Sequence, residues 1–444
     1  MDLLNTEAAM LKELVFNRTT SFKQEPKLVS AIDKLLNAAL INRNVDEKGN
    51  LLLPERKLEF SEVQQILQQS SNRKVAEKSS DLLLKEGNDA RKMFIKKIED
   101  ILTQINSTAE NGDVPKLIIR NQRIWSNCIY DLDRVTLKAI RDAKKTTLNY
   151  SSSEDKSRFN AIVFVLTKVH ELLSKKLTVT RREMFYQNIS RFRSQANLDI
   201  AVRDVCCLLE TPPWSLGIVA TAKGLIAGPL TLHYHDGNII DCMVSGGTLI
   251  PQDVNGVKKF QSTAKYILVV EKDAIFQKLL DEGALLRLGP VIIITGKGYP
   301  DVCTRQLLCR LCNELNLNAL ALVDADPHGY EIFLTYKYGS LAQSHLSASL
   351  ACSSLLLLGV RHHDVMTLAP DEARLPLSNL DKRKLEHLIR RPYLENAVGL
   401  CIKEELNSML TSGIKAEIEA VAPNSGALCD AYLPSKIILS NYLG

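Results

Sequence analysis

Acidic side chains follow two of three apolar runs in the middle of the chain, at the point where each run ends. Glu271 follows residues 266–270, while Asp324 and Asp326 follow residues 319–323, and the run at 291–295 leads into Gly296-Lys297-Gly298. Three carboxylates brought into one crevice repel each other unless a cation lies between them. A hard cation with oxygen ligands, above all Mg²⁺, suits such a group. These residue types therefore predict a magnesium site made by Glu271, Asp324 and Asp326.

The three apolar runs predict the elements that bring these side chains together. Continuous β-branched runs are typical of parallel strands buried on both faces, and residues 274–286 and 304–315 supply the connecting helices. The carboxyl ends of such strands line one crevice. A single acidic residue at a strand end is also a common helix N-cap, so a structural role for either aspartate is the alternative interpretation.

Composition sets broad limits on the class of protein. The 444 residues predict two or three domains, and 45% hydrophobic with 24% charged residues is typical of a soluble globular protein. The net charge of +5 permits nucleic-acid binding without establishing it. The ten scattered cysteines favour reduced thiols over a disulfide or zinc framework. Residues 1–14 lack the pattern of a signal peptide, and no apolar run approaches ~20 residues, so we expect an intracellular protein without a membrane span.

Residues 1–115 are polar and predicted to be helical. Apolar side chains recur at helical spacing within residues 28–40 and again within residues 92–105. Such stripes either pack locally or receive a partner helix. For residues 92–105 we expect a partner interface.

Residues 116–242 are predicted to form a DNA-binding unit. Helices are expected at 126–143, 158–175 and 199–209, followed by a β-hairpin of residues 217–223 and 228–234. Helices followed by such a wing indicate a winged helix-turn-helix, and several arginines in this unit favour phosphate contact. The remaining residues, 243–444, are expected to form the metal-site domain, with a strand at 355–360 and helices at 381–391, 403–411 and 415–420.

Seven short motifs between residues 157 and 436 together resemble one family. They are Arg-x-x-Phe-Tyr-x-Asn at 182–188, Ala-Lys-Gly-Leu at 222–225, Val-Val-Glu-Lys at 269–272, Thr-Gly-Lys-Gly-Tyr-Pro-Asp at 295–301, Leu-Val-Asp-Ala-Asp-Pro-His-Gly at 322–329, Tyr-Lys-Tyr-Gly-Ser at 336–340 and Tyr-Leu-Pro-Ser-Lys at 432–436. In this order they resemble the eukaryotic meiotic double-strand-break proteins, homologues of the A subunit of topoisomerase VI, a type IIB enzyme. The resemblance implies a multi-domain α/β protein, in which a CAP-like winged-helix domain carries a tyrosine and a Toprim domain carries the metal site.

The resemblance also implies the reaction. Tyr186 would attack a DNA backbone phosphate and leave a 5′-phosphotyrosyl link and a free 3′-hydroxyl. Many relatives have two adjacent tyrosines here, whereas this chain has Phe185 before Tyr186. A phenol is protonated near neutral pH, so the attack requires a base, a metal or a nearby cation. Arg182, four positions earlier, corresponds to the family's arginine and would hold the same phosphate, ahead of Arg181.

Further contacts follow from the same resemblance. Lys223 resembles a lysine near the DNA backbone, and Lys297 and Lys272 are expected to face phosphate. Two chains would form composite sites, in which the tyrosine of one chain meets the Mg²⁺ of the other. The implied partners are thus double-stranded DNA, a second copy of the chain in a homodimer, and a separate B-type subunit that handles ATP. The nucleus is the implied location.

Other functions stay open on the sequence. A different Toprim enzyme, such as a primase or a hydrolytic nuclease, would need no tyrosine. A somatic topoisomerase VI A-type subunit would pass one duplex through another together with its ATPase partner. A DNA-binding paralogue that does not cleave is the third alternative.

Overall fold

The computed structural model describes residues 80–444, except residues 123, 132, 133, 140 and 425. The apolar stripe at 28–40 lies outside the described residues. The described residues form two hydrophobic cores, one built from residues between 98 and 218 and the other mainly from residues between 222 and 433. None of the described helices combines the length and apolar character that a membrane span requires.

The first core lies between helices and small sheets. Its helices are α1 (Ser80–Glu110), α2 (Ser153–Lys175), α3 (Arg181–Tyr186) and α4 (Gln195–Leu209). Its strands are β1 (Lys116–Arg120) and β4 (Lys145–Asn149), which pair antiparallel, and β5 (Val179–Thr180) and β6 (Ile218–Val219), which pair parallel. Helix α2 buries Phe159, Ile162 and Leu166 at the spacing of one helical face, which confirms the predicted helix at 158–175.

The apolar stripe of α1 packs against this core. Ile98 is fully buried, and Phe94, Ile95, Ile101, Leu102 and Ile105 are partly buried against the same cluster. The stripe is thus used at least in part for local packing. A partner interface on this helix stays a prediction.

Two predictions for residues 116–242 were wrong. Residues 126–143 do not form a helix, because β2 (Cys128–Asp131) and β3 (Arg134–Leu137) pair antiparallel there. Val135 and Leu137 are buried while Arg134 and Thr136 are half-exposed, which is the two-residue period of a strand. Residues 217–223 and 228–234 do not pair with each other, so the predicted wing hairpin is absent from this part of the described chain.

The segment expected to form the wing belongs to the second core. Strand β7 (Leu225–Ala227) joins a large sheet, and β8 (Leu230–Tyr234) lies between β9 (Ile239–Asp241) and β11 (Val257–Ser262) in a three-stranded sheet. These strands therefore pack with the second core, and the expected domain boundary between 242 and 243 stays a prediction. The prediction failed because residues 218–219 pair with the earlier strand β5, whereas β8 pairs with β9 and β11 further along the chain.

The large sheet has the order β10-β7-β13-β12-β14-β15. Its members not yet introduced are β10 (Thr248–Leu249), β12 (Tyr266–Val270), β13 (Val291–Thr295), β14 (Asn318–Leu322) and β15 (Leu355–Gly359). Strands β12 to β15 are parallel, whereas β7 and β10 run antiparallel to their neighbours. The predicted parallel sheet is confirmed, including the strand at 355–360.

Helices connect and cover this sheet. They are α5 (Asp273–Asp281), α6 (Ala284–Arg287), α7 (Val302–Leu315), α8 (Pro327–Tyr338), α9 (Ser347–Leu350), α10 (His362–Leu368), α11 (Asn379–Ile389), α12 (Ala397–Ser412) and α13 (Leu433–Ile438). The helix predicted at 415–420 was wrong: β16 (Leu375–Pro376) pairs with β17 (Ile414–Lys415), and a 3₁₀ turn follows at Ile418–Val421.

Candidate active site

Glu271 and Asp324 lie side by side at the carboxyl edge of the large sheet. Glu271 follows β12 and Asp324 comes two residues after β14, and these two strands are direct neighbours. The backbone N–H of Asp324 donates to Glu271 Oε2 at 2.9 Å. The topology of the sheet therefore brings Glu271 next to Asp324, as the sequence predicts, while their role as metal ligands stays a prediction.

Both carboxyl groups are electrostatically strained. Burial, together with the charge of Asp324, raises the pKa of Glu271 from 4.5 to about 7. Burial also raises the pKa of Asp324 to about 6, although Lys272 and the backbone N–H of Ile418 act in the opposite direction. Removal of two carboxylates from water without full compensation is costly, and a divalent cation between them would relieve that cost.

Asp326 has the structural role that was considered for it, while its role as a metal ligand stays a prediction. It is the N-cap of α8, and its Oδ1 accepts a hydrogen bond from the N–H of Gly329 at 2.6 Å. Position 329 requires glycine, because a Cβ atom there would lie 2.3 Å from the carbonyl oxygen of Asp324. Among the described residues, no three His, Cys, Asp or Glu side chains are arranged to hold a metal ion. The carboxylate oxygens, together with the raised pKa values of Glu271 and Asp324, nevertheless fit a hard cation.

Lys272 lies within an acidic group that the sequence reasoning missed. Its Nζ is 3.2 Å from Asp324, 3.1 Å from Glu417 and 3.2 Å from Glu419. The side chain is thus engaged with carboxylates, while its contact with phosphate stays a prediction. Glu417 is the N-cap of a 3₁₀ turn and Glu419 lies within that turn, so no simple spacing in the sequence marks the two as partners of Lys272.

The segment around Ile418 also closes over Asp324. Its N–H donates to Asp324 Oδ1 at 2.9 Å, and Ala416 forms a β-bridge with Ala325. The closing segment from the end of the chain therefore fixes the orientation of one of the two central carboxylates.

Lys223 and Lys297 lie together beside the end of β13. Lys223 Nζ donates to the carbonyl oxygen of Lys297 at 3.1 Å, and its N–H donates to Asp301 Oδ2 at 3.0 Å. Lys297 Nζ forms an ion pair with Asp273 at 3.0 Å. Lys223 is therefore attached to the metal-site domain rather than to a wing of the helical domain. Gly224 permits this contact, since a Cβ there would lie 2.3 Å from Thr304 Oγ1.

Tyr186 is the last residue of the short helix α3 and is 67% exposed. A capping box between Thr180 and Glu183 starts the helix. Phe185 packs against the helical core, whereas the ring of Tyr186 points outward. The centroids of the two rings are 5.7 Å apart. Within the described part of one chain, Tyr186 makes no hydrogen bond to the acidic group.

The two arginines before Tyr186 differ in their surroundings. Arg182 is exposed and forms no ion pair within the described residues. Arg181 is half-buried, and its Nη1 donates to Asp199 Oδ1 at 3.5 Å. An exposed phenol beside such a guanidinium can attack a phosphate that the guanidinium holds. Arg182 therefore has the arrangement expected for the phosphate ligand, and Arg181 that of a support.

A polar chain that sequence reasoning also missed flanks the acidic edge. Tyr299 Oη donates to Glu331 Oε2 at 2.5 Å and lies 3.1 Å from His328 Nδ1. Lys384 and Arg391 pair with the same glutamate. Burial and Glu331 raise the pKa of Tyr299 above its ordinary value, so this phenol is a hydrogen-bond donor and not a nucleophile.

Known proteins resemble this chain in sequence. The family of the Toprim domain of topoisomerase 6 A subunits and Spo11 matches residues 266–437, and the family described as type IIB DNA topoisomerase matches residues 157–218. The mouse meiotic recombination protein SPO11 is 35% identical over 349 residues, which cover 78% of this chain and 87% of the relative.

Two further relatives come from a fly and a plant. The meiotic recombination protein W68 of Drosophila melanogaster is 34% identical over 78% of this chain and 97% of its own length. The A subunit of DNA topoisomerase 6 from Arabidopsis thaliana is 35% identical over 78% of this chain and 80% of its own length. With its parallel sheet, its acidic edge and its exposed tyrosine, this chain belongs to the family of the type IIB topoisomerase A subunits and the Spo11 proteins.

Proposed function

We propose that this protein is a transesterase that makes double-strand breaks in DNA to initiate meiotic recombination. Two features support it together: the exposed Tyr186 beside Arg182, and the carboxylates Glu271 and Asp324 at the edge of the large sheet. Membership of the family supports the same reaction, and the mouse, human and fly relatives are all named meiotic recombination proteins.

In the proposed reaction, Tyr186 Oη attacks the phosphorus of a backbone phosphate. The new P–O bond joins the tyrosine to the 5′ side of the break, and the P–O3′ bond breaks to release a 3′-hydroxyl. Arg182 holds the non-bridging phosphate oxygens and stabilises the charge that develops on them. Because the phenolic oxygen is already exposed, α3 needs no unfolding to reach DNA.

Glu271, Asp324 and Asp326 would hold Mg²⁺, which supplies positive charge for the phosphate and the leaving 3′-oxygen. Lys272 keeps Asp324 and the two glutamates of the closing segment in place when the protein is free of metal. Lys223 and Lys297, held beside the same edge, would contact the DNA backbone. Arg181 would keep α3 oriented through its hydrogen bond to Asp199.

The two halves of the site would come from different chains. A homodimer then cuts both strands of double-stranded DNA, and a B-type subunit is the further partner that the family implies. Because its substrate is chromosomal DNA, we place the protein in the nucleus.

A denaturant-stable link between the chain and 5′ DNA ends is the direct test. The wild-type chain, assembled with its B-type partner, is incubated with labelled DNA and Mg²⁺ and then denatured. We expect a labelled protein band for the wild type and for Glu404→Gln, an exposed control, and none for Tyr186→Phe. Cutting that survives in Tyr186→Phe would indicate a hydrolytic nuclease and refute the proposal.

The second candidate function is duplex passage in the manner of topoisomerase VI. The similarity to the Arabidopsis topoisomerase 6 A subunit, which is 35% identical, favours it, whereas the mouse, human and fly relatives that are named meiotic recombination proteins favour the first function. ATP-dependent decatenation of linked circles by the assembled complex would distinguish the two, because a protein dedicated to breaks leaves the circles linked.

A further inference from the structure

A groove of about 630 Å³ opens between the N-terminal halves of α2 and α4. Phe192 and Ile200 supply part of an apolar lining. The polar side chains that line it are Ser157, Arg158, Asn160, Arg191, Arg193 and Asn197. Glu154 is the one carboxylate of the lining, against three guanidinium groups. The groove thus offers an excess of positive charge on a partly apolar surface.

The three arginines are not equivalent. Arg158 forms a bidentate pair with Asp204, with distances of 2.8 and 3.0 Å, and is therefore neutralised. Arg191 lies over the ring of Phe164, 4.6 Å from its centroid, and forms no ion pair with a carboxylate in the part of the chain that the structure describes. Arg193 is exposed and forms no ion pair within the described residues. Two uncompensated guanidiniums therefore face the groove, next to the start of the 15-residue helix α4.

The loop that carries these arginines is firmly joined to the helix of Tyr186. Asn188 Nδ2 donates to the carbonyl oxygen of Met184 at 2.9 Å, and the carbonyl oxygen of Asn188 accepts from the N–H of Arg191 at 3.0 Å. Phe192 is buried and makes an edge contact with Phe164. Arg193 lies seven positions after Tyr186, a distance along the chain of at most ~25 Å, which is about seven nucleotides along one DNA strand.

We propose that this groove binds backbone phosphates of the DNA within a few nucleotides of the bond that Tyr186 attacks, with Arg193 and Arg191 as positioning residues. The inference rests on the proposed function and adds a binding site outside the cleavage centre. A guanidinium fork matches the geometry of a phosphate, and phosphate contacts set the register of a protein on DNA without reading its sequence. The groove therefore helps to fix which phosphate reaches Tyr186, independently of base identity.

A salt titration of DNA binding by the full chain tests this proposal. Each phosphate contact contributes about 0.9 to the slope of log K against log[salt]. Arg193→Ala should lower that slope by about 1 and weaken binding roughly eightfold at 0.1 M salt, equally for unrelated sequences. Arg193→Lys should retain most of the slope. Lys259→Ala removes one charge from an exposed strand position and should leave the slope unchanged.

Covalent adduct formation in the same samples separates the two proposals. Adduct yield from Arg193→Ala should fall at low DNA concentration and recover at saturating DNA, which a loss of chemistry would not allow. An unchanged slope in both Arg193→Ala and the charge reversal Arg193→Glu would overturn the groove proposal, whatever the adduct yield. If the slope falls while the wild type forms no adduct, the groove is supported and the proposed cleavage fails.

Discussion

Glu271→Gln should stabilise the metal-free protein while abolishing its stabilisation by Mg²⁺. Glu271 is held against Asp324, and burial with this neighbouring charge raises its pKa to about 7. A neutral amide of nearly the same shape removes the repulsion, and its oxygen can still accept the hydrogen bond from the N–H of Asp324. The substitution therefore removes a cost of folding and a metal ligand at once.

The magnitude follows from the pKa difference. The interval between 4.5 and about 7 corresponds to at most ~3 kcal/mol, since each pH unit is equivalent to 1.36 kcal/mol. Because the folded pKa lies above the unfolded one, the cost is absent below about pH 4.5, grows between pH 4.5 and 7 and is complete above pH 7. A cooperative unit of ~200 residues would gain up to about 7 °C in melting temperature at pH 8.

Thermal unfolding with EDTA and with Mg²⁺, at pH 5 and at pH 8, measures both effects. We expect Glu271→Gln to melt above the wild type in EDTA at pH 8, with a smaller difference at pH 5. Mg²⁺ should raise the melting temperature of the wild type but not that of the variant. The exposed control Glu404→Gln should match the wild type throughout. A variant that melts below the wild type in EDTA at pH 8 would refute the electrostatic reasoning.

Three other substitutions follow from the same contacts. Arg182→Ala should slow adduct formation by about 10²–10³ at saturating DNA with an unchanged melting temperature. Arg181→Ala should instead lower the melting temperature more than the rate, because Arg181 supports α3 through Asp199. Equal rates of adduct formation in the two variants would contradict the roles assigned to the two arginines. Lys272→Met should destabilise the metal-free protein by about 3 kcal/mol, because it leaves three carboxylates uncompensated. Mg²⁺ should recover much of this lost stability in a melting experiment. A loss of stability that Mg²⁺ leaves unchanged would argue against a site at which Lys272 and Mg²⁺ bind the same carboxylates. Gly224→Ala should lower the free energy of unfolding by about 2 kcal/mol or more, because the added Cβ would overlap Thr304 Oγ1. Denaturant unfolding measures this loss. Full stability of the variant would show that the loop of Lys223 is not held as described.

The sequence was sufficient to predict the parallel sheet and the meeting of Glu271 with Asp324. Continuous β-branched runs identify buried parallel strands, and neighbouring strands of this kind end at the same edge. The position of Asp326 after β14 was equally predictable, although only the structure shows that its carboxylate caps α8.

Long-range contacts explain what the sequence could not predict. Lys223 was expected on a wing because its segment precedes an apparent hairpin partner, yet β7 pairs with β13, about 65 residues later. Glu417 and Glu419 reach Lys272 from the last 30 residues of the chain. The predicted helix at 126–143 failed because its apolar residues fit either period, and tertiary packing selected the strands.

Mixing two inactive variants tests the central proposal most directly. Tyr186→Phe lacks the nucleophile and Glu271→Gln lacks a metal ligand, so each alone should form no adduct. If the tyrosine of one protomer works with the carboxylates of the other, a mixed dimer contains one intact site and one doubly defective site. We expect mixed samples to nick one strand of a duplex and to carry the DNA 5′ end on the Glu271→Gln protomer, which retains Tyr186. An absence of adduct in mixed dimers, with wild-type dimers active in parallel, would contradict the composite site.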